Sequence, residues 1–229
     1  MLDGLKISRE AIERTVRLVT TARLRESVLL DLVDEAELEA LSEIEGATST
    51  RRIAQARGAG EVQSHELVYG VPHAHFINAC FAYAKPREPN RFNGADRGAW
   101  YAAFDVETCL AEVKFHLIEM LAAAGDFNAT VDYAEMFASF AGEFLDLRAH
   151  PGHVSLNPEK TVGYPVGNAL AEATRARGLN GIIYPSVRCP GGTCLVALFP
   201  HAVQSVTQGD VYRMVWDGAP EPAVGLIKD

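Results

Sequence analysis

"GLNGIIYPSVRCPGGTCLVALFP" (178–200) sets two short apolar runs, "IIY" and "CLVALF", on either side of a polar insert rich in glycine and proline. Short apolar runs bounded by Gly and Pro read as strands. Pro190, Gly191 and Gly192 supply a tight connection that returns the second strand beside the first. Tyr184, Ser186 and Arg188 then fall where the first strand ends.

Working outward, "GYPVGNALAEATRARG" (163–178) and "DVETCLAEVKFHLIEMLAAAG" (105–125) read as helices. In the second, Asp105 caps the start, Gly125 closes the end, and Leu110, Val113, Leu117 and Leu121 form one stripe. Cys109, Glu112, His116 and Glu119 share a different face. The runs "HELVYGVP" (65–72), "AHFINACFAYA" (74–84) and "GAWYAAF" (98–104), punctuated by Gly, Pro and Asn, predict strands. The expected class is therefore mixed α/β (α+β), with a core from residue 49 to 229. Residues 1–48 read as a helical extension. Ile12, Val16 and Val19 recur at helical spacing, and "DEAELEALSEIEG" (34–46) has an Asp34/Glu37 capping box and a Leu38, Leu41, Ile44 stripe. Arg14, Arg17, Arg23 and Arg25 decorate that extension as a solvated face, the other reading being a docking patch for an acidic partner.

Composition bounds the function. The 229 residues are 48% hydrophobic, enough for a core without staples, and no apolar run approaches the roughly 18 residues of a membrane span. The N-terminus lacks a signal-peptide pattern and the four cysteines are irregularly spaced, so a cytoplasmic chain with reduced thiols is expected. With 21 Lys and Arg against 30 Asp and Glu, the net charge of −9 argues against direct nucleic-acid binding by the whole surface.

Three chemistries can be weighed on the residues alone. Cys109, Glu112 and His116, or His73 and His75, carry metal-ligating types, but paired-His or paired-Cys signatures are absent and no metal is expected. Ser186 lacks the G-x-S-x-G elbow of many hydrolases. No Rossmann fingerprint or P-loop occurs, since "PGGT" has neither the lysine nor the glycine spacing. What remains is a series set at element ends: Arg91 and Asn93 in "NRFNG", Tyr101 in "AWYAA", Glu112 in "CLAEV", and Ser186 in "YPSVR".

That series resembles the RES-domain family, toxins of bacterial toxin–antitoxin pairs named for an arginine, a glutamate and a serine. The likeness runs through "NRFNGADRGAWYAAFDVETCLAEVKFHL" (90–117) and "GNALAEATRARGLNGIIYPSVRCPGGTCLVALF" (167–199). It implies a compact fold similar to ADP-ribosyltransferases and cleavage of the nicotinamide–ribose bond of NAD+, by hydrolysis or by phosphorolysis with inorganic phosphate. Matched residue by residue, Glu112 is the carboxylate that stabilises positive charge on the ribose. Arg91 holds the pyrophosphate, as does Arg52, the further arginine near the start of the family core. Tyr101 offers a ring to the nicotinamide, and Ser186 a hydrogen bond to a ribose hydroxyl or the carboxamide. The resemblance also implies a small helix-turn-helix antitoxin as partner, leaving self-association open. Protein mono-ADP-ribosylation and a non-catalytic interaction role are the alternatives. The chain departs from the family at Asn90, Phe92 and Tyr164–Gly167, and at Cys194, where many relatives carry asparagine.

Overall fold

Residues 181–185 and 193–197 pair antiparallel, Gly181 opposite Ala197 and Pro185 opposite Thr193, as the opening stretch predicts. The computed structural model describes residues 2–23, 62–82 and 89–227. The expected helix at 34–46, the boundary at residue 48 and Arg52 lie outside the described residues. The strands are β1 (Lys6–Thr20), β2 (Trp100–Ala103), β3 (Asn128–Asp146), β4 (Gly181–Pro185), β5 (Thr193–Ala197), β6 (Gln204–Asp217) and β7 (Ala223–Ile227). The helices are α1 (Ala74–Ala82), α2 (Val106–Ala124) and α3 (Lys160–Ala176). The class is mixed α/β, as expected.

One sheet of order β1-β2-β5-β4-β3-β6-β7 contains all seven strands, and β1 also pairs with β3. The long β3 carries β1 along one edge, with Tyr133 to Asp146 facing Thr20 to Lys6. Its other edge carries β6 and then, at Phe144–Asp146, the parallel β4. The series β1, β2, β5, β4, β3 therefore closes on itself, and the β6–β7 hairpin continues outward.

Both faces of the β4–β5 pair are buried, which is why these strands read as unbroken apolar runs. Ile182, Tyr184, Cys194 and Val196 share one core with Leu170 and Ala171 of α3 and Cys109 of α2. Ile183, Leu195 and Ala197 share the other with Phe76, Ile77 and Phe81 of α1 and with Trp100. Phe81, Phe92, Phe140 and Phe144 are at most 1% exposed, and burial of each contributes roughly 1.5–3 kcal/mol. Among the described residues, no helix is long and apolar enough to cross a membrane.

Two expectations are corrected. Residues 6–20 form a strand, not a helix. Ile12, Val16 and Val19 fit a 3.6-residue period only because a register shift between Ile12 and Thr15 breaks the two-residue alternation. The buried Thr15, Val16, Leu18 and Val19 serve both faces of the sheet. Residues 74–82, read as a strand, form the helix α1, because an apolar run buried on most sides carries no period that separates the two. "HELVYGVP" begins inside a 3-10 turn, Ser64–Glu66, and holds no strand.

Candidate active site

The connection between β4 and β5 is built to hold Ser186 still. Gly191 has φ +83°, where L-residues are strained, and a Cβ on Gly192 would lie 2.3 Å from Thr108 Oγ1 in the first turn of α2. The two glycines thus let the turn press against that helix. Asp105 caps α2 by accepting from the Thr108 amide at 2.7 Å. Within the turn, the Ser186 amide donates to Gly192 O.

Ser186 and Glu112, 74 residues apart, meet through this packing: Ser186 Oγ donates to Glu112 Oε1 at 2.6 Å. The same Oγ accepts from the amides of Arg188 (3.1 Å) and Cys189 (3.0 Å). With both lone pairs occupied, its one hydrogen is directed at the carboxylate. Ser186 therefore orients Glu112.

Glu112 lines a cavity of about 890 Å³, within the size range of pockets that take drug-sized ligands. Among the described lining residues it is the one carboxylate, and the same lining includes Arg17, Arg91 and Arg188. In a chain of net charge −9, such a cleft concentrates anions locally.

Each arginine is fixed differently. Arg91 is buried, and its Nη1 donates to Ser155 O (2.6 Å) and Asn157 O (2.9 Å) beside the Tyr164 ring. Arg188 lies 3.4 Å over the Phe115 ring and donates to Pro158 O. Segment 155–158 is thereby strapped from two sides. Arg17 reaches in from β1, donates to Tyr101 O at 2.9 Å and has its buried Nε without a partner. Tyr101 has its hydroxyl committed: it donates to Asn93 Oδ1 (2.8 Å) and accepts from the Phe92 amide (3.0 Å). Burial keeps that phenol protonated.

The structure thus brings Arg91, Tyr101, Glu112 and Ser186 to one cavity wall or its support. Arg17, read as part of a solvated face, is a lining residue the sequence analysis missed, because its segment was given the wrong period. Arg188 stood beside "YPS" without a role. Asn168 supports the 90–91 turn from α3, its amide donating to Asn90 O and Arg91 O. His116 lines the same cavity, and burial followed by the nearby Lys160 lowers its pKa, favouring the neutral ring. Among the described residues, no His, Cys, Asp and Glu gather in threes as a metal site would require. The four cysteines are free thiols.

Fold and cavity together define a mixed α/β protein whose partly closed sheet presents one oriented carboxylate to a cationic cleft. The RES domain model matches residues 67–217, so the chain belongs to the RES domain family. Arg91, Tyr101, Glu112 and Ser186 fall inside the matched stretch, while Arg17 precedes it. The uncharacterized protein y4oC of Sinorhizobium fredii (strain NBRC 101917 / NGR234) is 28% identical over 188 residues, covering 82% of this chain and 76% of y4oC. A solved structure, the M. tuberculosis MbcT-MbcA toxin-antitoxin complex, aligns at TM-score 0.34 and 18% identity. That alignment covers 49% of this chain and 66% of the other, just under two thirds of its length.

Proposed function

We propose that the chain cleaves the nicotinamide–ribose bond of NAD+, and that it does so as a toxin held in check by an antitoxin. One observation carries the catalytic part: the Glu112 carboxylate is fixed by Ser186 in a cleft that three arginines also line. A dinucleotide has the matching chemistry, an anionic pyrophosphate beside a ribose that becomes cationic as its bond breaks. In this reading Arg17 and Arg188, which line the cavity, serve the pyrophosphate. Arg91, with Nη1 committed to two carbonyls, contributes its charge and the strap. Aromatic rings of Tyr101 and Tyr164 wall the cleft where the nicotinamide can lie.

In the cleavage, the C1′–N bond breaks and its electron pair leaves with nicotinamide. The leaving group is neutral, so no general acid is needed. Glu112 stabilises the oxocarbenium character of the ribose, a contribution that grows as charge develops. Water or phosphate then forms the new C1′–O bond, giving ADP-ribose or ADP-ribose 1″-phosphate. The toxin role and the antitoxin partner are suggested by family membership.

The test is incubation of purified chain with NAD+, with and without inorganic phosphate, with products read by mass. Free ADP-ribose in both arms identifies hydrolysis, and a product heavier by phosphate identifies phosphorolysis. An ADP-ribosyl mass on protein supports the transferase alternative. Intact NAD+ in every arm, with no protein modified, overturns the proposal.

A further inference from the structure

The Glu112 carboxylate receives a second contact, from the strand opposite Ser186. Cys194 pairs with Tyr184 across β4 and β5, and its Sγ lies 3.9 Å from Glu112 Oε1, the oxygen that also accepts from Ser186. The distance is at the long end for a sulfur donor, and its direction is fixed by a buried strand. Cys194 is 3% exposed. Burial, with Glu112 next in effect, raises its pKa far above the ordinary thiol value, so the sulfur keeps its proton. A protonated thiol is a poor nucleophile and a standing donor. Glu112 Oε2 has no hydrogen-bond partner among the described residues and belongs to a side chain that lines the cavity.

We propose that Cys194 is a positioning residue for Glu112: its S–H and the Ser186 O–H converge on Oε1 and so leave Oε2 as the oxygen presented to the cleft. The proposal rests on the reading of Glu112 as the carboxylate that faces the broken bond. Two donors on one oxygen restrict rotation about the terminal bond of Glu112 more than either does alone.

The test reads the carboxylate directly. In protein labelled with ¹³C at the glutamate carboxyls, the Glu112 signal is identified by its loss in E112Q and followed through a pH titration by NMR. C194V removes the donor at similar volume, and C194N restores one. C194S, smaller but still a donor, takes its place if C194N does not fold. The expected result is a proton affinity of Glu112 raised about three- to tenfold in C194V, as loss of one weak donor implies, and returned toward wild type in C194N or C194S. In NAD+ turnover, C194V lowers kcat severalfold with KM unchanged and moves the acid limb of the pH profile upward. Identical Glu112 titration in wild type and C194V overturns the proposal. So does an equal shift in C194V and the donor-bearing variant, which would mark a packing effect. Wild-type protein that leaves NAD+ intact would sink the functional reading instead, and the titration would still report on Cys194.

Discussion

Substituting Gly163 in the first turn of α3 tests whether segment 155–158 is as tightly seated as described. An added Cβ would lie 2.5 Å from Asn157 O and 2.9 Å from Arg91 Nη1. Ordinary contact begins near 3.4 Å, so G163A must push the strap back by about 0.9 Å. That carbonyl is bonded to Arg91 Nη1 at 2.9 Å, and the displacement breaks the bond. Losing a charge-assisted hydrogen bond costs about 1.5–3 kcal/mol and overpacking about 1–3 kcal/mol, while alanine returns at most about 1 kcal/mol of helix propensity. The net loss is about 1.5–5 kcal/mol, which for a chain of this size lowers Tm by about 3–20 °C. Thermal unfolding followed by circular dichroism measures it, with G225A as control, since nothing lies within 4 Å of a Cβ there and φ is ordinary. A G163A protein that melts within 2 °C of wild type, on the order of the control, refutes the tight seating of the strap.

Asp105 is the cap on the helix that carries Glu112, and D105A is expected to lower stability by about 1 kcal/mol in chemical denaturation; an unchanged midpoint contradicts the capping role. Glu66 neutralises the buried Arg97 through two contacts, at 3.2 and 2.5 Å, so E66A removes the carboxylate from a buried ion pair and should cost about 3 kcal/mol, read as a falling Tm. Hydrogen bonds from Arg97 and Arg148 hold the Glu66 and Asp146 carboxyls below their ordinary values of 4.5 and 3.8. Depressed folded-state values mean that the stabilisation is complete above the unfolded values and is lost as pH falls through the folded ones. Tm should therefore be level above about pH 5 and decline below about pH 4, and a Tm that rises on acidification over that range contradicts both pairings.

The sequence was most legible where local chemistry and packing agree. Asp105 and Gly125 marked both ends of α2, and the glycines at 191 and 192 marked the return of β5 beside β4. Glu112 and Ser186 were identified by their place in a motif, and their contact depends on helix phase and a tight turn acting together. Arg17 was hidden by a β-bulge that disguised a strand as a helix. The three hydrogen bonds of the Ser186 hydroxyl inside the protein, one to Glu112 and two from backbone amides, were not legible either. No spacing rule shows that two backbone amides saturate that oxygen. The commitment of Arg91 to the 155–157 carbonyls was equally invisible, because it joins loops 64 and 66 residues apart.

The central claim is that Glu112 acts on the ribose of NAD+, and the most direct measurement is nicotinamide release by proton NMR from wild-type chain and E112Q under the same conditions. The amide keeps the shape of the side chain and its hydrogen-bonding reach while removing the charge. The account predicts nicotinamide release by the wild type and a loss of at least about a hundredfold in E112Q, with the fold retained. Equal rates in the two proteins would contradict it.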